Sequence, residues 1–336
     1  MSGDDARHRN AEGDAMPKFD KLYVQTPLIE SRSMSDKSGK TIYLKLENTQ
    51  PTASFKLRGI SNLIQEEMAR GSTRLVASSG GNAGLAAAYT ARKLGIPIRI
   101  YVPESTPQYM VDRIRAEEAE VVVHGSVWDE ANAEAIRESQ SPGCANIHPF
   151  DHADIWSGNS SLVDEIAECL PVAPDLIVLS VGGGGLLCGV VQGLDRVGWK
   201  DVPILAMETE GANSFNAAVS AGKLVSLPAI TSVAKTLGTL QVSTKAFEYS
   251  TDRGGIMSAL VSDRQAVAAC LQFADDHRML VEPACGAALA AVYSKVIERL
   301  QGEGRLAPSL ETVVVIVCGG SAVQSDELRR LLTQLS

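Results

Sequence analysis

Short apolar runs alternate along the chain with segments whose apolar residues recur every three or four positions. In the first half, residues 42–46, 75–77, 98–102 and 121–124 read as strands. Between 56 and 70, Ile60, Leu63, Ile64 and Met68 fall at helical spacing, so a helix is predicted there. Further helices are predicted over 83–94, where small residues run up to a terminating Gly95, and over 106–117 and 129–139. In the second half, 176–179, 204–207 and 313–317 are almost unbroken apolar runs, as expected of strands buried on both faces. Helices at 185–197, 264–277, 284–301 and 325–335 separate or follow them. This order predicts a three-layer α/β architecture with mostly parallel sheets. No internal repeat or low-complexity segment interrupts it. Ser54 stands just before the first helix as a plausible N-cap. The Pro- and Gly-bearing stretch 141–149 reads as a crossing between two domains, and 1–20 as a disordered tail.

Composition narrows the function more than the fold. A chain of 336 residues with 45% apolar and 21% charged residues is ordinary globular material. At roughly 150 residues per domain it holds about two. Its 31 Lys+Arg against 40 Asp+Glu leave a net charge of −9, which argues against a nucleic-acid backbone or an anionic membrane as partner. Six cysteines are scattered with no Cys-x-x-Cys spacing, as expected of reduced thiols in the cytoplasm. The N-terminus carries neither a signal-peptide core nor an Arg-rich amphipathic pattern. Residues 176–194 are apolar enough to suggest a membrane span, but four consecutive glycines divide them into a strand and a helix. A cytoplasmic protein is expected.

In parallel sheets, ligands sit at the carboxyl ends of strands, and three loops at such positions carry unusual chemistry. In VGGGGLLCG (181–189), successive glycines let backbone N–H groups converge ahead of a helix N-terminus, which makes a phosphate nest. A simple strand-to-helix turn needs only one or two glycines. Gly183-x-Gly185-x-x-x-Gly189, with Glu208 about 25 residues on, also mimics a dinucleotide fingerprint, so an NAD-dependent oxidoreductase is an alternative from this segment alone. In PTASFKLRGI (51–60), Lys56 lies in a helix first turn, where an amine is discouraged from carrying charge and becomes a better nucleophile, with Phe55 beside it as a flat surface. Taken singly, such a lysine is more often solvated, and Arg58 reads as structural. In ASSGGNAG (77–84), Ser79, Gly80, Gly81 and Asn82 offer donors for a carboxylate, or else form a glycine-rich turn with Asn82 left-handed.

Together, in this order, the loops SFKLRG, SSGGNAG, SVGGGGLLCGV, AMETEGANSF, EPACGAALAA and VVIVCGG resemble the fold-type II pyridoxal-phosphate enzymes, nearest to the animal-liver type of L-serine/L-threonine dehydratase. The resemblance runs from about Tyr23 to the C-terminus. It implies a large cofactor-binding domain built from 21–49 and 153–336, a small domain over 50–152, and a homodimer. By the same resemblance Lys56 joins the cofactor covalently and serves as general base, Phe55 packs on its ring, and Asn82 bonds the ring hydroxyl. Gly182, Gly183, Gly184 and Gly185 hold the phosphate. Cys318 faces the pyridine nitrogen, a neutral partner that favours expulsion of a β-substituent over transamination. Ser79, Gly80, Asn82 and Ala83 grip the substrate carboxylate. The implied reaction is β-elimination, taking L-serine to pyruvate and ammonia and L-threonine to 2-oxobutyrate and ammonia.

Two departures qualify the resemblance. A racemase of this family carries serine immediately before its Gly-Asn pair; Gly80 here has no proton to give, so racemisation is expected to be poor. The liver enzyme has alanine there, and glycine is the pattern of a dehydratase-like paralogue, or of a cofactor-binding homologue with little turnover. The chain ends about fifteen residues after Ser321, so the regulatory domain of biosynthetic threonine deaminases is not expected. The resemblance also implies a monovalent-cation site, K⁺ rather than Mg²⁺, from the carbonyls of Gly182, Glu208, Ala212, Leu237 and Thr239 with the Ser214 hydroxyl. The five histidines show no ligand spacing; His148 and His152, in HPFDH, read as a structured loop.

Overall fold

The computed structural model describes residues 21–335, so the tail read over 1–20 lies outside the described residues. Among the described residues ten strands form two sheets: β1 (Leu28–Glu30), β2 (Thr41–Lys45), β3 (Arg74–Ser78), β4 (Ile98–Val102), β5 (Glu120–Val123), β6 (Cys144–Ile147), β7 (Leu176–Ser180), β8 (Ile204–Thr209), β9 (Ile256–Val261) and β10 (Thr312–Ile316). The larger sheet runs β1-β2-β10-β7-β8-β9 and the smaller β5-β4-β3-β6. Every pairing is parallel except β1 with β2. Strands β7, β8 and β10 sit inside the larger sheet with layers of helix on both faces, which is why their sequences are apolar at nearly every position. The smaller sheet has its own core, built around Leu57, Ile60, Ile64, Ile100 and Ile114.

The two sheets meet through three helices. Ala153–Cys169 lies between Lys56–Ala69, which packs on the smaller sheet, and Gly185–Arg196, which packs on the larger. Close approach here depends on glycine: a Cβ on Gly59 would come 2.6 Å from the Ile155 carbonyl oxygen, and one on Gly158 2.5 Å from that of Arg58. The loops after β2, β3, β7 and β10 therefore open at the junction.

The structure corrects the sequence reading in several places. The helix predicted over 284–301 is two, Pro283–Tyr293 and Val296–Gly302, because Lys295 takes a left-handed conformation (φ 56°) that turns Val296, Ile297 and Leu300 into the core. The stretch 141–149, read as a crossing, carries β6, paired with β3. Strands β1 and β9 and the helices Arg32–Ser38, Ala153–Cys169, Ser214–Ala221 and Thr244–Asp252 went unpredicted. Ser54 is not an N-cap: Phe55 holds that position, the Ser54 backbone bridges to Gly319, and its buried hydroxyl has no partner among the described residues. Asn82 is not left-handed; it is the first residue of the helix Asn82–Leu94. No described helix is long and apolar enough to cross a membrane.

Candidate active site

Lys56 opens the helix Lys56–Ala69, and the loop before it is fixed against the end of β10. Besides the Ser54–Gly319 bridge, the Phe55 N–H donates to the Cys318 carbonyl at 3.2 Å. The Lys56 amine donates to the carbonyl of Pro149 at 2.7 Å and stands 5.4 Å from the Phe55 ring centroid and 5.8 Å from that of Phe150. Burial pushes its pKa down to about 8, although the neighbouring Cys318 and Glu282 pull the other way. Near neutral pH a usable fraction of this amine is therefore proton-free, the form that attacks a carbonyl carbon or removes a proton.

The glycine run follows β7. Among the described residues, the N–H groups of Gly182, Gly183, Gly184 and Gly185 donate to no protein acceptor. Gly184 has φ 95°, open to glycine at little cost. A Cβ on Gly183 would come within 2.4 Å of the Phe150 ring. Four converging free donors at the N-terminus of Gly185–Arg196 fit a phosphate dianion. With an amine of lowered pKa nearby, the residues present fit pyridoxal phosphate.

Cys318 lies two residues past the end of β10, buried beside Cys285. The Cys285 contact and burial raise its pKa well above the usual thiol value, so the group stays a neutral thiol. Across the junction, Ser79, Gly80 and Gly81 link β3 to the helix Asn82–Leu94. The N–H groups of Asn82 and Ala83 have no acceptor among the described residues, as suits a carboxylate seat. The Ser79 hydroxyl accepts from the Gly81 N–H at 3.3 Å. Gly80 is crowded: a Cβ there would stand 2.5 Å from Cγ2 and 2.6 Å from Oγ1 of Thr106.

The Asn82 amide is largely claimed by protein. Its Nδ2 donates to Glu282 Oε1 at 2.8 Å, and its Oδ1 accepts from the Ser321 N–H at 2.9 Å and its hydroxyl at 3.2 Å. Nδ2 keeps one hydrogen for a further acceptor. Glu282, which sequence reasoning gave no role, is the carboxyl at the centre of this network. It also accepts from the Thr236 hydroxyl and from the Ala322 N–H at 3.3 Å, and Gly320 leaves room for it. Burial raises its pKa to about 7, against the pull of those donors and of Lys56. The available signal was an acidic residue directly before Pro283, heading an otherwise apolar helix. Phe150 and Pro149 were missed too, since nothing local distinguishes them.

Of the proposed cation ligands, a Cβ on Gly182 would lie 3.1 Å from the Leu237 carbonyl oxygen, and the Ser214 and Thr239 hydroxyls are 3.2 Å apart. The Leu237 carbonyl accepts from the Thr239 N–H, and the Ala212 N–H donates to Thr209. The Glu208 side chain, as distinct from its carbonyl, accepts from the Phe215 and Asn216 N–H groups at 2.9 and 2.7 Å at the start of Ser214–Ala221. Among the described residues no group of three or more His, Cys, Asp or Glu could hold a metal ion.

These features coincide with a recognised family. Residues 20–319 match the family described as "Pyridoxal-phosphate dependent enzyme", and the chain belongs to it, with the fold-type II architecture. The dinucleotide alternative is thereby set aside. The chain is 55% identical over 311 residues to rat "Serine dehydratase-like", covering 93% of this chain and 94% of that one. It is 52% identical over 316 residues to human "L-serine dehydratase/L-threonine deaminase", covering 94% and 96%. A solved fungal L-serine ammonia-lyase from Rhizomucor miehei superposes with a TM-score of 0.86 at 36% identity, over 94% of this chain and 99% of that one.

Proposed function

We propose that the protein is a pyridoxal-phosphate-dependent L-serine/L-threonine ammonia-lyase, releasing pyruvate and ammonia from L-serine and 2-oxobutyrate and ammonia from L-threonine. The observation that carries this reading is the half-buried Lys56 amine, its pKa lowered to about 8, joined through Phe150 to a run of four glycines with unclaimed N–H groups. When bound, pyridoxal phosphate supplies an electron sink for the electrons left at the substrate α-carbon. Gly182, Gly183, Gly184 and Gly185 would hold its phosphate, Phe55 its ring, Asn82 its ring hydroxyl, and Cys318 its pyridine nitrogen. Ser79, Gly80, Asn82 and Ala83 orient the substrate carboxylate at the N-terminus of Asn82–Leu94. The proton-free amine of Lys56 removes the α-proton. The neutral Cys318 thiol withholds the charge that would prolong a carbanion, so the β-hydroxyl departs, leaving as water with a proton equivalent to the one Lys56 took from the α-carbon. The names of the relatives support this assignment.

Racemisation is the second reading, since the fold also hosts it. Gly80 disfavours it, because it carries no proton donor for the opposite face. Small methyl differences are worth only about 1–3 kcal/mol in a pocket, so serine and threonine are both assigned as substrates. The oxygens around Gly182 and Ser214 are assigned to K⁺, and the chain to a cytoplasmic homodimer with a two-domain division at 50–152.

The test is an absorbance spectrum of the purified protein before and after L-serine, with pyruvate and the serine enantiomers assayed in the same sample. A cofactor band that changes as pyruvate accumulates supports the lyase. A changing band with D-serine and no pyruvate supports racemisation, and no band after adding cofactor removes Lys56 from its role. Replacing K⁺ by Na⁺ during the same assay is expected to lower the rate.

A further inference from the structure

His148 begins the turn after β6 and has no place in the reaction as described above. Its Nδ1 accepts two backbone hydrogen bonds, from the Asp151 N–H at 2.8 Å and the Phe150 N–H at 3.3 Å. A ring nitrogen accepting from two donors carries no proton, so the neutral imidazole is the Nε2–H tautomer. The ring also packs edge-to-face on Phe150, with centroids 4.8 Å apart. Burial, with Lys56 and His152 nearby, keeps it uncharged, its pKa lowered to about 4.

The residues this ring holds are the ones that touch the active site from the outside. Pro149 supplies the carbonyl that, among the described residues, is the only hydrogen-bond acceptor of the Lys56 amine. The Phe150 ring lies against the α-carbon of Gly183, and the Phe150 carbonyl oxygen would be 2.6 Å from a Cβ on Gly185. That carbonyl also accepts from the Trp156 indole N–H at 3.1 Å. One turn thus contacts both the amine and the phosphate cradle.

We propose that His148 is a positioning residue: its proton-free Nδ1 folds the 148–151 turn, and the turn sets the Lys56 amine and the glycine run in register for the cofactor. The inference rests on Lys56 and the glycine run being the cofactor's seat. It makes a stereochemical demand, because what matters is an acceptor at the Nδ1 position and not an imidazole. Asparagine places its side-chain oxygen about there and forms the same kind of turn, whereas glutamine carries its oxygen one bond further out.

The experiment titrates the cofactor-free full-length chain with pyridoxal phosphate, comparing the parent with His148→Asn, His148→Gln, His148→Leu and Lys56→Ala. It follows tryptophan fluorescence for Kd and the pH dependence of covalent attachment for the Lys56 titration midpoint. Losing the acceptor in His148→Leu and misplacing it in His148→Gln are each expected to weaken binding about tenfold and to move the midpoint. His148→Asn is expected to stay within about threefold of the parent on the same reasoning. Should His148→Leu fail to fold, the Asn and Gln variants decide. Equal behaviour of Asn and Gln, or parental binding by Leu, overturns the proposal. Covalent attachment surviving in Lys56→Ala instead overturns the cofactor seat on which it rests.

Discussion

Lys56 and Arg58 lie two residues apart on one helix, the first half-buried and the second fully buried, and the fold treats their charges in opposite ways. The Arg58 guanidinium is held by two carboxylates: Glu47 at 2.7 and 2.8 Å, and Glu165 at 2.7 and 2.6 Å. Glu165 also takes Lys45 at 2.5 Å, Thr26 donates its hydroxyl to Glu47 at 2.6 Å, and Tyr23 lies 4.7 Å over the guanidinium. Two cations thus meet two anions. Burial by itself would lower the Arg58 pKa, but Glu47 and Glu165 raise it beyond reach. Burial would likewise raise the Glu165 carboxyl, and Arg58 and Lys45 hold it below the usual carboxylate range. Lys56 has one neutral carbonyl and two aromatic faces, so its charge is left largely uncompensated and burial wins. Full pairing makes Arg58 an anchor, and withheld pairing leaves the Lys56 amine more readily deprotonated.

This comparison can be broken at either end. Lys56→Ala is expected to cost at least about a thousandfold in turnover, with thermal stability unchanged or raised, because an awkward buried amine is gone. Turnover surviving that substitution would end the reading of Lys56 as the reactive group. Arg58→Met leaves Glu47 and Glu165 without their main partner and is expected to destabilise by about 3–5 kcal/mol, read from denaturant unfolding. An unchanged midpoint would reduce the network to decoration. With the parent chain, the network's contribution is present above the ordinary carboxylate range and lost as pH falls toward the depressed pKa of Glu165.

Smaller effects sharpen the contrast. Only the proton-free amine attacks, so covalent attachment of pyridoxal phosphate to Lys56 is expected to rise with pH and level off above about 8. Below that it should fall roughly tenfold per pH unit. A midpoint near the ordinary lysine value would mean that burial does not control this amine. The smallest change is expected for Glu282→Gln. The Glu282 charge favours protonated Lys56, so its removal should shift the same midpoint down while the glutamine oxygen still accepts from Asn82. An upward shift would show that the carboxyl acts on Lys56 by some route other than charge.

The glycine run could be read directly because its chemistry is local, whereas SFKLRG and SSGGNAG stood out locally but took their roles from the family resemblance. Converging N–H groups, a lysine in a first helical turn and a polar helix start each need only a few consecutive residues. Glu282, Phe150, Pro149 and His148 could not be read in that way. Each acts through a partner far along the chain: Glu282 on Asn82, Pro149 on Lys56, and Phe150 on Gly183. The same holds for the Glu208 side chain, which accepts from the N–H groups of Phe215 and Asn216, seven and eight residues on.

The three-layer α/β class was legible in the sequence alone, since hydrophobic period is a short-range property, and Lys56 was singled out by the resemblance of its loop to a family. The electrostatic character of the site was decided only by tertiary structure. Whether a cation drawn out of water becomes a partly proton-free amine or a locked ion depends on which carboxylates the fold brings within a few ångströms. In this chain it brings Glu47 and Glu165 to Arg58 and leaves Lys56 with the Pro149 carbonyl. That difference follows from desolvation and Coulomb interaction between residues as much as 107 positions apart.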